Sequence, residues 1–136
     1  MRRARLKNAT TAFFNRQLVS GESSTWTSSG YIYFGGDPPA DNSTASLTVT
    51  EGGKVTAVSG VYLLHGATLS GNGTIEGTVN NNGGTVAPGT SPGVLSVIGN
   101  YNQNTAGVLN MEIGGPTLGL QYDQLSVTGA ATSTAR

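Results

Sequence analysis

Short apolar-polar alternations, separated by turn residues, run along most of this chain. Leu47-Thr48-Val49-Thr50 alternates with period two, the period of a half-buried strand. Glu51-Gly52-Gly53 then turns, Lys54-Val55-Thr56 returns to strand, and Val58-Ser59-Gly60-Val61-Tyr62-Leu63-Leu64 follows. Between Ala67 and Ala130 the β-favouring pieces are Thr74-Ile75, Thr78-Val79, Thr85-Val86, Val94-Leu95-Ser96-Val97, Leu109-Asn110-Met111-Glu112-Ile113 and Leu125-Ser126-Val127. Gly, Asn and Pro separate them, and no stretch there carries a helical period. Strands of two to five residues are not stable as isolated hairpins. Stacked in parallel coils, each pairs along its whole length with the coils on either side. This pattern predicts a β-solenoid with Val, Leu and Ile in a narrow inner column, Thr and Ser outside, and Gly and Asn at the corners. Ile75, Val86 and Val97 are predicted inward positions.

A Gly-x-apolar triplet recurs at Gly53-Lys54-Val55, Gly73-Thr74-Ile75, Gly77-Thr78-Val79 and Gly84-Thr85-Val86. A longer echo sets Leu95-Ser96-Val97-Ile98-Gly99 against Leu125-Ser126-Val127-Thr128-Gly129, with a weaker copy at Leu47-Thr48-Val49. The spacing is irregular, so the repeat is degenerate. At roughly 20–30 residues per coil, residues 45–130 predict three or four coils about 4.8 Å apart. Asn80-Asn81-Asn82 reads as a corner or outward loop, in preference to an internal Asn ladder.

Residues 1–20 differ from the rest. Leu6, Phe13, Phe14, Gln17 and Leu18 form a rough apolar stripe at helical spacing among basic residues. Three readings stay open: a short amphipathic helix capping the solenoid, a frayed tail, or a membrane-surface segment. Residues 21–46 hold an aromatic first coil, with a strand at Tyr31-Ile32-Tyr33-Phe34. A loop follows around Pro38 and Pro39, which cannot join a central ladder. The organisation expected is a basic tail or cap over 1–20, the first coil and loop over 21–46, solenoid repeats over 47–130 and a tail over 131–136.

Composition narrows the classes. Gly, Ser, Thr and Asn number 21, 13, 18 and 11 in 136 residues, leaving few large apolar side chains for a thick globular core. Charged residues make up only 10%, and Val, Ile and Leu recur steadily, which favours a thin β fold over disorder. With 0 Cys there is neither disulfide nor thiolate metal site. The formal charge is zero but split. Arg2, Arg3, Arg5, Lys7 and Arg16 lie at the start, and the body from 17 to 135 has one base, Lys54, against all seven acids. Such a body repels nucleic-acid phosphates. No apolar run approaches the roughly 20 residues of a membrane span. The basic start is not followed by the apolar core of a signal peptide, so an export signal is expected outside these residues.

The residues Leu69-Ser70-Gly71-Asn72-Gly73-Thr74-Ile75, Gly84-Thr85-Val86-Ala87-Pro88-Gly89-Thr90-Ser91-Pro92-Gly93, Gly99-Asn100-Tyr101 and Tyr122-Asp123-Gln124-Leu125 carry a resemblance. Their wording resembles the passenger repeats of bacterial autotransporters, closely from Thr68 and loosely from Trp26. Trp26 to Val55 is also similar to repeats of large bacterial surface proteins that lack a barrel. The resemblance implies a right-handed parallel β-helix, display at the cell surface and a role in adhesion. The chain includes neither the signal nor the translocator barrel of a complete autotransporter, so self-secretion is not implied. The expected fold class is all-β: a right-handed parallel β-helix (β-solenoid) of about three to four irregular coils, with a short N-terminal helix as an option.

Candidate chemistry is sparse. Gly89-Thr90-Ser91-Pro92-Gly93 fits the G-x-S-x-G nucleophile elbow, but Pro92 lacks the N–H that would complete the oxyanion hole, and a Pro-Gly turn accounts for it. The one histidine, His65, reads as a strand-end residue, since zinc needs further ligands. Asp37, Asp41, Asn42 and Glu51 match no calcium-loop spacing. Glu76, Glu112 and Asp123 fall in separate repeats, whereas a glycosidase needs two carboxylates about 5–9.5 Å apart. Asn8, Asn42 and Asn72 start N-x-[ST] sequons, relevant only in a eukaryotic secretory pathway. Trp26, Tyr31, Tyr33 and Tyr62 are the candidate glycan-stacking group; the competing reading has them covering the first coil's open end. These features predict a non-enzymatic structural or adhesive segment of a bacterial surface or secreted protein, without cofactor or metal. Expected partners are surface glycans or other cell-surface molecules, with end-to-end self-association. The alternative is a carbohydrate-binding or polysaccharide-cleaving β-helix.

Overall fold

The computed structural model describes residues 11–14, 16–35, 45–89, 93–115 and 122–133. Every regular element among them is a β-strand, and the chain visits three faces in turn. The first coil is β1 (Thr11–Phe14), β2 (Arg16–Ser20) and β3 (Thr25–Ser28), and the second is β4 (Tyr31–Phe34), β5 (Ala45–Thr50) and β6 (Lys54–Ala57). The third is β7 (Gly60–Leu63), β8 (Ala67–Gly71) and β9 (Thr74–Glu76), and the fourth is β10 (Val79–Asn81), β11 (Thr85–Pro88) and β12 (Val94–Ile98). The fifth is β13 (Tyr101–Gln103), β14 (Val108–Leu109) and β15 (Gln124–Val127), and β16 (Ala131–Ser133) opens a sixth.

Sheet I stacks β1-β4-β7-β10-β13-β16, sheet II β2-β5-β8-β11-β14 and sheet III β3-β6-β9-β12-β15. All the pairings between these strands are parallel. The chain is therefore a parallel β-solenoid, as its strand pattern predicts.

Two expectations are corrected. The column holds five coils and the start of a sixth, not three or four, because strands begin at Thr11 rather than Ala45 and continue through Ala131–Ser133. Coil length also varies: Val61 pairs with Val79, whereas Tyr101 pairs with Ala131. The N-terminal helix is replaced, over its described part, by β1 and β2. Its apolar stripe put Leu18 on the buried side. In the strand, period two turns Val19 into the core beside Val49 and leaves Leu18 44% exposed. Pairing with β5 supplies β2 with a full ladder that an isolated helix of this length lacks. Leu6 and residues 1–10 lie outside the described residues.

The core consists of short stacks, one residue per coil. On sheet III, Trp26, Val55, Ile75, Val97 and Val127 succeed one another. On sheet II, Leu47, Leu69 and Val86 do the same, with Leu109 above them. Ile75, Val86 and Val97 are fully buried, as predicted. Fully burying such a side chain stabilises by about 1.5–3 kcal/mol. The echoed segments are stacked neighbours: Leu95 lies against Leu125, Ser96 against Ser126 and Val97 against Val127. Gly99 marks the corner after them. A Cβ there would stand 2.6 Å from the Gly77 carbonyl oxygen, and the backbone has φ 149°, so only glycine fits without strain.

Sheet I has a second inward row that changes character along the column. Phe34 and Leu63 are followed by Asn81, Gln103 and Ser133. This corrects the reading of Asn80-Asn81-Asn82 as a corner or outward loop. Asn80 and Asn81 lie in β10, with Asn81 fully buried. The Asn81 amide donates to the Tyr101 hydroxyl (3.2 Å) and to the Val108 carbonyl (3.0 Å), and its oxygen accepts from the Gly84 N–H (2.9 Å). A buried amide with its bonding groups satisfied avoids the desolvation cost that argued against this placement.

Candidate functional site

Sheet I also has an outward row, and it gathers most of the predicted aromatic group. Tyr33 lies in register with Tyr62, and the row continues through Asn80, Asn102 and Thr132. The Tyr33 and Tyr62 rings stack with centroids 5.1 Å apart and planes at 19°. Tyr31 closes the cluster at 5.5 Å from Tyr62 and 6.0 Å from Tyr33. Such spacings are those of favourable ring pairs. The Tyr62 hydroxyl is pushed above its ordinary pKa of 10.0, first by burial and then by the neighbouring Tyr31 and Tyr33. The three phenols therefore stay protonated as hydrogen-bonding groups at neutral pH.

Trp26 does not join them. It is 2% exposed and points into the core, where its ring meets Phe34 edge-on at 6.1 Å. Its place in the stacking group is corrected. The residue stands one strand position from exposed Thr25 and Thr27, and period two assigns it to the inside with Ser28. The same alternation separates Ile32 and Phe34, which are buried, from Tyr31 and Tyr33.

Beyond the tyrosines the outward row becomes polar. The Asn102 amide donates to the Asn80 side-chain oxygen (3.0 Å), and the Thr132 hydroxyl donates to the Asn102 oxygen (2.7 Å). No charged side chain lies in this row from Tyr33 to Thr132. Sheet III contrasts with it: Lys54 lies 3.6 Å from Glu76, which also accepts from the Thr56 hydroxyl (3.1 Å). The aromatic-then-amide strip was legible only in part, since the tyrosines had a sequence signal and the Asn ladder was read as a corner.

The remaining candidates are dispersed or occupied. His65 sits exposed at the corner before β8. Glu51 accepts from the Ser20 hydroxyl (2.8 Å) at a turn with φ 53°. Glu76 is engaged on sheet III. Glu112 and Asp123 do come together in the fifth coil, but as a backbone clamp. One Asp123 oxygen accepts from the Gly93 N–H (2.8 Å), the other from the Glu112 N–H (2.7 Å), and the Asp123 N–H donates to the Glu112 carbonyl (2.8 Å). This clamp, which ties the excursion between β14 and β15 to the fourth coil, had no signal in the sequence. Asp37, Asp41, Asn42, Ser91 and Pro92 lie outside the described residues. Among the described residues no three His, Asp or Glu side chains form a metal-holding group, and no helix is long and apolar enough to cross a membrane.

Two hollows accompany these features. One of about 250 Å³ lies beside the clamp, lined by Ser70, Pro88, Gly89, Asn110, Glu112 and Asp123 among others. The larger, about 380 Å³, opens at the C-terminal end of the column.

Neither protein-family profiles, nor curated proteins, nor solved structures match this chain.

Proposed function

We propose that the chain is a non-enzymatic structural and adhesive segment of a bacterial cell-surface or secreted protein, working outside the cell as a length of passenger-like stalk. The observation that carries this reading is the column itself. Three parallel sheets run without interruption through five coils, and each coil contributes one short strand to each sheet. An architecture of stacked near-equivalent coils grows by adding coils, and its functional surface is its outside. The resemblance of residues 68–125 to autotransporter passenger repeats supports the same conclusion. On intact cells of the organism that makes it, antibodies raised against the folded chain should label the surface. Labelling that appears only after the cells are permeabilised overturns the reading.

A second reading, a glycan-binding module, is favoured by one observation: Tyr31, Tyr33 and Tyr62 converge on the uncharged outer row of sheet I. Its ligand class is a neutral polysaccharide laid along the column, in contact with phenols first and amides beyond. The test is retention of the chain on a panel of immobilised neutral polysaccharides. Tyr33→Ala combined with Tyr62→Ala should abolish the retention, and retention that survives in the double variant removes the site from consideration. Polysaccharide cleavage has less support, because both Asp123 oxygens are held by backbone N–H groups and Glu76 is paired with Lys54.

A further inference from the structure

The two ends of the column differ. In the first coil the inward side chains are covered: Val19 and Trp26 are each 2% exposed, and Ser24 and Ser28 are buried with them. In the fifth coil the corresponding positions are open. Val108 and Leu109 are 50% and 38% exposed, and Leu125 and Val127 are only partly buried. Tyr101, Leu109, Met111, Leu125 and Val127 line the 380 Å³ hollow at this end, whose wall is predominantly apolar. β14 and β15 are the last strands of their sheets, so each also presents an unpaired backbone edge.

We infer that this C-terminal end docks against the same end of a second copy of the chain, giving a two-fold, tail-to-tail dimer. The end needs a partner offering both free strand edges and uncovered apolar side chains. The first-coil end has strand edges but a closed core, so head-to-tail stacking would set a covered surface against an open one. Among the described surfaces, only the fifth-coil end supplies both requirements, and a surface complementary to itself is what a two-fold interface uses. A two-fold axis perpendicular to the column can bring a pair of end strands together antiparallel, a pairing at least as stable per residue as the parallel one inside the column. The contact is one narrow coil in cross-section, well under the roughly 800 Å² per partner of a standard interface, so the dimer is weak and forms only at high concentration. The closed first-coil end stops growth at two.

Sedimentation velocity of the whole chain over a concentration series tests this. The expected result is a monomer at low concentration that shifts towards a dimer and no further. Leu109→Lys, at an already exposed end position, should weaken the dimer at least about tenfold while keeping the parent's thermal midpoint. Val108→Lys provides a second variant of the same end should the first fail to fold. Val58→Lys, at a corner that is 72% exposed and two coils from this end, should leave the dimer unchanged. A chain that stays monomeric at every concentration overturns the proposal, with the open end then belonging to further coils of a longer polypeptide. Species growing beyond the dimer overturn it in favour of head-to-tail stacking. A dimer that survives in the folded end variants overturns the assignment of the surface.

Discussion

The fourth and fifth coils contain the same tripeptide in the same place. Leu95-Ser96-Val97 in β12 and Leu125-Ser126-Val127 in β15 lie in register on sheet III. Leu95 and Val97 are fully buried, whereas Leu125 and Val127 are only partly so. Chemistry, strand period and face are identical, so the difference comes entirely from the number of neighbouring coils. β12 has β9 on one side and β15 on the other, and β15 has β12 alone. In a solenoid the worth of a core residue is therefore set by its position along the stack as much as by its identity, as nearest-neighbour energetics require.

The largest test of this comparison is charge in the column. Val86→Asp would place a carboxylate between Leu69 and Leu109 with no partner, at a position with no exposure. It should cost several kcal/mol, on the order of 3–5 for an uncompensated buried charge. Leu109→Asp, one coil further along the same row, should cost about 1 kcal/mol or less, since the carboxylate can reach water. Chemical denaturation midpoints of the two variants compare them directly, and equal losses would mean that the fifth coil is as closed as the fourth.

A finer test uses the echo. Leu95→Ala should destabilise by about 2–4 kcal/mol, through lost burial plus the cavity left behind. Leu125→Ala should cost roughly half as much or less, because less area is removed from water there. Thermal unfolding followed by circular dichroism reads both, and a larger loss for Leu125→Ala would break the comparison.

Asn81 probes the joint between the two regions. It belongs to the fourth coil but bonds to Tyr101 and Val108 of the fifth. Asn81→Ala should cost about 1–3 kcal/mol, by leaving the Gly84 N–H without its side-chain acceptor and breaking the bonds that hold the fifth coil. Hydrogen exchange should show the loss of protection concentrated in β13 and β14 and not in β5 to β9. Uniform loss would mean that the fifth coil has no separate stability.

The smallest effect is in alkaline titration. Burial raises the pKa of Tyr101, while its bond with Asn81 lowers it, and Tyr62 is likewise raised. A folded-state pKa above the unfolded value of 10.0 gives stability that is complete below pH 10 and lost as pH rises through the folded pKa. Thermal midpoints should therefore fall above pH 10, and Tyr62→Phe should flatten that fall. An unchanged slope in Tyr62→Phe would show that the sheet I cluster does not contribute.

Much of this fold was written locally. The Gly-x-apolar triplets open strands on all three sheets: Lys54-Val55 and Thr74-Ile75 on sheet III, Val79 on sheet I and Thr85-Val86 on sheet II. Period two identified Ile75, Val86 and Val97 as core, because alternation along one strand needs no knowledge of its partners. It would equally have turned Trp26 inward, given the strand Thr25–Ser28; grouping the aromatics by their chemistry hid that. The N-terminal strands escaped notice because Phe13, Phe14, Gln17 and Leu18 also satisfy a helical period. Only the waiting edge of β5 decides between the two patterns.

What the sequence determined by itself was therefore the strand-and-corner grammar, the class of fold and the identity of the inward residues within most strands. The tertiary structure decided the number of coils, the stacking of Tyr33 on Tyr62, the entry of Asn81 into the core and the use of Asp123 as a clamp. Each of these depends on register between strands one coil apart, and coil length varies with the loops between faces. A one-residue change in any loop would shift that register and exchange inside for outside, so the closing of the whole coil fixes it and no local pattern can.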